Sequence, residues 1–176
     1  IRIKFRKYGT MKFIGHLDVM RYFQKAIRRS EVNIRYSEGF SPHQIMSFAA
    51  PLGVGITSKG EYVDIEVLDT ENSKKMIDRL NAVMSEGFEI LEYKLLPDDA
   101  ANAMSIVAAA DYSLVFRPGY EPEKESPEEW FEKLVRFFDA DHVMIMKKTK
   151  KGEREMDLKP FVYELNVRKN GEVPAL

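Results

Sequence analysis

The chain offers few side chains for chemistry near neutral pH, because it has three histidines and no cysteine. His43 follows Pro42 in a segment rich in glycine and hydroxyl groups, a setting typical of a loop that contacts a ligand or uses its imidazole in acid–base catalysis. The alternative is that the ring hydrogen-bonds within the loop and holds its turn. We interpret His16, at the start of a predicted helix, as a capping or packing residue, and His142 as structural.

The absence of cysteine excludes several classes of site. The chain forms no disulfide, has no thiolate nucleophile, and holds neither a zinc ribbon nor an iron–sulfur cluster through its own cysteines. His16, Asp18, His43 and Asp64 lack the spacing of helical zinc motifs and meet only if the fold brings them together. No apolar run approaches the roughly 20 residues of a membrane span. We therefore expect no metal, no cofactor and no membrane contact, and a cytoplasmic setting.

Residues 36–64 are the least regular part of the chain, because four glycines and two prolines interrupt them. The first part, 37–44, carries Phe40 and His43 between turn-forming residues, and loops of this kind often bind ligands. Phe40 either stacks on a ligand or anchors the loop in the core. The glycines of 53–55 lie between predicted strands and not at a strand-to-helix turn, so they fit neither nucleotide-binding fingerprint.

Charge is distributed unevenly along the chain. Residues 1–60 carry a net charge of +8, residues 61–140 carry −11, and residues 141–176 carry +2. This asymmetry indicates a basic face for a polyanion, or two solvated surfaces of opposite bias. Cations together with aromatic side chains are typical of RNA-binding surfaces. The predicted RNA-binding set, which we expect on one common patch, is Arg2, Lys4, Arg6, His16, Arg21, Lys25, Arg28, Arg29, Arg35, Tyr36, Phe40, Ser41 and His43.

A second basic segment, 147–154, is predicted as a hairpin turn that either touches RNA or is simply solvated. In the first half of the chain, hydrophobic periodicity predicts the order strand, helix, strand, strand, helix, strand. This order is the ferredoxin-like βαββαβ pattern of an α+β fold, in which two helices cover one face of a four-stranded antiparallel sheet. The predicted elements are Ile1–Lys7, His16–Ser30, Ile45–Ala49, Glu61–Leu68, Lys74–Ser85 and Phe88–Leu96.

The second half repeats part of this order, so we predict a first module at 1–96, a linker at 97–106, and a second α+β module at 107–176. The elements expected there are a strand at Ala108–Phe116, a helix at Pro127–Asp139 that opens with a Ser126/Glu129 capping box, a strand at His142–Lys148, a returning segment at Arg154–Leu158, and a strand at Phe161–Arg168. A last helix and strand are missing from the pattern, which predicts an incomplete, C-terminally truncated ferredoxin-like module.

Several motifs resemble those of the radical SAM-linked conserved hypothetical protein family. They are Lys7-x-Gly9, His16-Leu17-Asp18, Gly39-Phe40-Ser41-Pro42-His43, Ser47-Phe48, Pro51-Leu52, Glu61-Tyr62-x-Asp64 and Glu155-x-Asp157-x-x-Pro160. One departure is Gln44, where the family usually shows a second proline. The resemblance implies a cobalamin-type radical SAM partner, encoded beside or fused to such a chain, which would hold the cluster cysteines that this chain lacks. It implies no activity for the chain itself.

Three functions fit these observations. The first is a non-catalytic accessory subunit that binds transfer or ribosomal RNA for the radical SAM partner. The second is a metal-independent endoribonuclease of the duplicated ferredoxin-like type, with His43 as acid or base and Arg28 or Lys25 stabilising the phosphorane charge. The third is a protein adaptor whose basic face meets an acidic surface of the partner. We take the first as the leading hypothesis.

Overall fold

The computed structural model of the protein describes residues 1–150 and 152–167. Its contacts divide the chain into unit 1, Ile1–Ala109, and unit 2, Ala110–Leu176. Unit 1 contains a four-stranded antiparallel sheet and unit 2 a two-stranded one, so the protein has a mixed α/β architecture. Among the described residues, no helix combines the length and apolar character needed to cross a membrane.

Unit 1, which is described throughout, has its strands in the order β2-β3-β1-β4, and every neighbouring pair is antiparallel. Both long helices, α1 and α2, contribute buried residues to one core with the sheet. The elements are β1 (Arg2–Lys7), α1 (His16–Arg29), β2 (Met46–Phe48), β3 (Ser58–Ile65), α2 (Ser73–Asn81), β4 (Phe88–Lys94) and α3 (Ala103–Ile106), with a 3₁₀ turn at Gly9–Phe13.

The alternation of β1 determines which side of the sheet is buried. Ile3 and Phe5 are almost fully buried, whereas the residues between them are half-buried, as the period of two predicts. Phe5 packs against Phe23 of α1 with ring centroids 4.5 Å apart. The helices therefore cover the Ile3/Phe5 side, here called the covered face, and leave Arg2, Lys4 and Arg6 on the open face.

The segment expected as a linker, 97–106, is instead bound to the open face of the sheet. Asp64 of β3 accepts a hydrogen bond from the backbone N–H of Ala103 at 2.7 Å, and Arg2 donates to the carbonyl of Ala101 at 2.9 Å. The side chain of Asn102 caps α3 by accepting from the N–H of Ser105 at 3.0 Å. These bonds make the segment part of unit 1.

Unit 2 contains one helix and one hairpin among its described residues. They are α4 (Pro127–Phe138), β5 (Met144–Thr149) and β6 (Gly152–Asp157), followed by a 3₁₀ turn at Lys159–Phe161. The predicted capping box is confirmed, since Ser126 accepts from the N–H of Glu129 and the Glu129 carboxylate accepts from the N–H of Ser126.

Asp157 fastens the base of this hairpin. Its carboxylate accepts from the N–H groups of Val143 and Lys159 and bonds the ring Nδ1 of His142 at 2.7 Å. These bonds, with that of His142 foremost, hold the pKa of Asp157 at about 2. His142 therefore has the structural role expected from the sequence.

Two predicted strands of the second half are wrong in the described structure. Residues 108–116 form no strand, and residues 161–167 form only the end of a 3₁₀ turn and irregular chain, while Arg168 lies outside the described residues. A strand is stable only when a neighbour pairs with it, and the hairpin of β5 and β6 pairs with neither segment. The apolar content of both segments was therefore a misleading signal, and the expected second sheet does not form there.

Candidate functional site

A short loop, 37–43, projects from unit 1 and is closed at its base by hydrogen bonds. Tyr36 and Gln44 form an antiparallel bridge, and the N–H of Ser37 donates to the carbonyl of His43 at 2.9 Å. The hydroxyl of Ser37 lies 2.8 Å from Nδ1 of His43 and accepts from the His43 N–H at 3.1 Å. Gly39, at a φ of +108°, provides the reversal that a residue with a Cβ rarely adopts. The loop is thus braced from within.

Phe40 lies at the tip of this loop, which we call the Phe40 loop. Its relative exposure is 110%, so the ring touches little of the protein and does not anchor the loop in the core. Ser41 and Pro42 beside it are also exposed. A fully exposed aromatic ring on a braced loop presents both of its faces to a binding partner.

Gln44 attaches the Phe40 loop to helix α1. Its side chain is buried, and its amide nitrogen donates to the carbonyl of Gln24 at 3.3 Å and to the hydroxyl of Tyr36 at 3.4 Å. A proline at this position would lack both bonds. Gln44 therefore gives the loop a side-chain anchor in the middle of α1, next to Lys25.

Two cations of α1 lie free on the surface near this anchor. Lys25 and Arg28 are exposed, and neither forms a salt bridge within the described residues. Their neighbours are engaged more closely. Arg21 pairs with Asp18 at 3.3 Å, and Arg29 donates to the carbonyl of Val83 at 3.0 Å. The α1 surface thus keeps two cations available for an external anion.

The remaining predicted cations are paired with carboxylates of unit 1. On the open face Arg2 binds Asp64 through two bonds of 2.8 and 2.9 Å, and Arg35 pairs with Glu66 at 2.5 Å. The same holds for Lys4 with Glu92 at 3.1 Å and Arg6 with Glu89 at 3.2 Å.

The expectation that all the cations share one patch is therefore wrong. The period of two puts Arg2, Lys4 and Arg6 on the open face, whereas α1 lies on the covered face. The structure brings Lys25 and Arg28 together with the anchor of the Phe40 loop and separates them from Arg2, Lys4 and Arg6.

Two tyrosines of unit 1, Tyr36 and Tyr22, differ in whether they can stack on a ligand. Tyr36 is 45% exposed beside the Phe40 loop. Tyr22 is stacked on Phe88 with ring centroids 4.6 Å apart, and its hydroxyl accepts from the N–H of Ser85 at 2.5 Å. Tyr22 is therefore part of the packing of unit 1, and Tyr36 is the more exposed of the two.

His16 lies away from the Phe40 loop, at the other end of α1. Its ring meets that of Phe48 edge to face at 5.3 Å and lines a small cavity. Lys7, which is 1% exposed, and Glu61 also line it. Burial lowers the pKa of the Lys7 ammonium, and the nearby Glu61 carboxylate offsets part of that effect. The packing role expected for His16 is present, together with a polar setting that the sequence did not suggest.

Lys7 and Glu61 are absent from the set predicted as site residues. The sequence does contain a signal for Lys7. It lies at an odd-numbered position of β1, as Ile3 and Phe5 do, so the alternation of the strand places it on the covered face. Nothing in the sequence brings Glu61 to it, since that contact depends on the register in which β3 pairs with β1.

The structure does not bring His16, Asp18, His43 and Asp64 together as a metal site. Within residues 1–150 and 152–167 no three His, Asp or Glu side chains come close enough to hold a metal ion. Asp64, one of the residues considered, already receives hydrogen bonds from Arg2 and Ala103. The basic hairpin turn contains Lys151, which lies outside the described residues, and Lys148 there pairs with Glu153 at 3.3 Å.

Comparison with known proteins places the chain in one family. No curated protein and no solved structure matches it. A family model described as an uncharacterized protein conserved in bacteria, DUF2344, matches residues 1–175. Because the match covers almost the whole chain, the chain belongs to the DUF2344 family.

Proposed function

We propose that the chain is a non-catalytic RNA-binding component that presents transfer or ribosomal RNA to a cobalamin-type radical SAM protein. The observation that carries the RNA part is Phe40, fully exposed on a braced loop that is anchored to α1 beside two cations. Neither cation forms a salt bridge in the part of the chain that the structure describes. A base that is not in a duplex can stack on Phe40, while Lys25 and Arg28 neutralise phosphates. The paired cations of the open face contribute little to this surface.

The fold and the partner are proposals with separate support. The element order of unit 1 and its sheet order β2-β3-β1-β4 support a ferredoxin-like module, a fold on which many RNA-binding proteins are built. The radical SAM partner rests on the motifs named above, among them Gly39-Phe40-Ser41-Pro42-His43. Copurification with a cobalamin-type radical SAM protein from the same genome tests that part, and separate elution of the two proteins contradicts it.

The two alternatives have less support from the geometry. For an endoribonuclease, Nδ1 of His43 is bonded to the hydroxyl of Ser37, so Nε2 is the ring nitrogen left to move a proton, on a side chain that is exposed to solvent. The brace explains His43 without chemistry. For an adaptor, the exposed ring of Phe40 suits a protein surface too, so nuclease-resistant binding to the partner with no affinity for RNA is the outcome that favours it.

Fluorescence anisotropy with labelled transfer RNA tests the RNA proposal. We expect affinity to fall steeply with salt and to drop about tenfold or more in Phe40→Ala, because stacking on one base contributes about 1–3 kcal/mol. Phe137→Ala, which removes an exposed ring from α4, is the matched control and should bind normally. Absent binding, or binding insensitive to salt and to Phe40→Ala, contradicts the proposal. RNA that is cut by the wild type and left intact by His43→Ala supports the endoribonuclease instead.

A further inference from the structure

The cavity beside His16 contains polar side chains that the protein leaves incompletely hydrogen-bonded. Lys7 is 1% exposed, yet within residues 1–150 and 152–167 its ammonium donates only to the carbonyl of Ile14, at 3.0 Å. The side chains of His16 and Glu61 are half-buried and have no hydrogen-bond partner among the described residues. Buried polar groups are nearly always satisfied, and those that are not mark a place for water or a ligand. Lys7 is buried with N–H donors left unused, and the half-buried His16 and Glu61 border the same cavity without partners among the described residues, which indicates a binding site.

The rest of the cavity wall is apolar, which strengthens any polar contact made inside it. It consists of Phe5, Val19, Phe48, Ala50 and Leu52. Ala50 is exposed and belongs to the surface loop between β2 and β3, so the cavity is reached from solvent.

The size and chemistry of the cavity select a hydroxyl group. Its volume is about 10 Å³, room for about one water-sized group. Lys7 provides an N–H donor and Glu61 a carboxylate acceptor, and a hydroxyl both accepts and donates. A phosphate is too large, and its charge would meet that of Glu61. The site therefore fits the hydroxyl of a larger molecule whose remainder stays outside.

Helix α1 connects this cavity to the RNA surface proposed above. His16 is its first residue, and Gln24, eight residues on, holds the anchor of the Phe40 loop. At 1.5 Å per residue the two points are about 12 Å apart along the helix, the length of about four stacked nucleotides. The cavity and the anchor of the Phe40 loop therefore lie within the span of one short RNA strand.

We propose that Lys7, His16 and Glu61 form a site for a ribose 2′-hydroxyl, through which the chain distinguishes RNA from DNA. This inference rests on the proposed function, because it assigns a second contact to the same RNA. The 2′-hydroxyl is the group that marks RNA, and it supplies both the acceptor and the donor that the site requires.

The experiment compares a short labelled RNA hairpin with its all-deoxy copy and its 2′-O-methyl copy. We expect the wild type to bind RNA about tenfold more tightly than either copy, since the deoxy copy lacks both hydrogen bonds of the 2′-hydroxyl and the 2′-O-methyl copy cannot donate to Glu61. Lys7→Met should weaken RNA binding about tenfold and leave DNA binding unchanged, which abolishes the preference. Lys74→Met, at an exposed lysine of α2, is the control and should keep it.

His16→Phe is the second variant, because it alters the half-buried edge of the cavity and stays informative if Lys7→Met unfolds. Equal binding of RNA and DNA by the wild type, or a preference that survives both variants, overturns the 2′-hydroxyl site. If RNA binding by the wild type is still weakened by Phe40→Ala, the proposed function stands and the inference about the 2′-hydroxyl alone fails. If no nucleic acid binds, both fail.

Discussion

Lys4 and Lys7 lie three residues apart on β1 and point to opposite faces of the sheet. On the open face, Lys4 donates to Glu92, and this hydrogen bond is the main reason that the pKa of Lys4 is raised. On the covered face, Lys7 lies in an apolar wall, and burial lowers its pKa. The same residue type is thus stabilised as a cation on one face and penalised as a cation on the other.

A count of cations in the sequence therefore overstates the free charge on the surface. The three open-face cations of β1 each have a carboxylate on β3 or β4 within 3.2 Å. On the outer side of helix α1, by contrast, Lys25 and Arg28 form no salt bridge among the described residues. The predictions below change one face at a time.

The largest effect is expected on the covered face, from Phe5→Ala. Phe5 is 2% exposed and contacts the rings of Phe23, Phe48 and Phe88. Removing it leaves a cavity and should lower the free energy of unfolding by about 3–5 kcal/mol. Arg6→Ala, the next residue and on the open face, should cost only about 0–1 kcal/mol. Urea unfolding measures both, and similar losses would mean that the two faces are not distinct.

A smaller loss of stability is expected from Asp64→Asn. Asp64 makes the strongest polar contact of the open face. Asparagine cannot accept both bonds from Arg2 and the bond from the N–H of Ala103, so we expect a loss of about 1–3 kcal/mol. Hydrogen exchange at Ala103 should also accelerate, because α3 is no longer held. Glu92→Gln, at a carboxylate with 59% side-chain exposure, is the control. An unchanged exchange rate at Ala103 would refute the role of Asp64 in holding α3.

The third prediction concerns binding rather than stability. The double variant Lys25→Ala/Arg28→Ala should weaken RNA binding and reduce the slope of log K against log salt by about 1.4, since each phosphate contact to a single strand contributes about 0.7. Lys4→Ala/Arg6→Ala removes the same number of charges from the open face and should leave the slope nearly unchanged. If the open-face variant changes the slope more, the carboxylates of the open face do not neutralise its cations toward RNA.

Much of unit 1 was predictable because its signals are local. The alternation of β1, the cap of α2 at Asn72 and the apolar faces of α1 and α2 depend on neighbours a few residues away. The strands expected at 108–116 and 161–168 failed because a strand requires a partner distant in sequence, and no local pattern shows whether that partner exists.

The candidate site divides in the same way. Glycine, proline and hydroxyl groups identified the Phe40 loop, since turns are encoded by the residues that form them. The pairing of Arg2 with Asp64 spans 62 residues, and the approach of Glu61 to Lys7 depends on the register of β3 against β1. Which charges are neutralised therefore depends on how the strands pair in the folded sheet.

The smallest effect is expected in the dependence of stability on pH, where Lys4 and Lys7 can be compared directly. Because the folded state lowers the pKa of Lys7 below its ordinary value of 10.5, the unfolded chain binds more protons between these two values, and stability rises with pH there. Lys4 has a raised pKa, so its contribution is present below 10.5 and is lost as pH rises through the raised value.

Lys7→Met and Lys4→Met should therefore change the pH profile of urea unfolding in opposite directions. The difference between wild type and Lys7→Met should increase with pH up to 10.5, and that between wild type and Lys4→Met should decrease above it. Groups that interact with neither lysine cancel in these differences. Two profiles with slopes of the same sign would mean that burial on the covered face does not penalise the Lys7 cation, and the contrast between the faces of β1 would then be one of position alone.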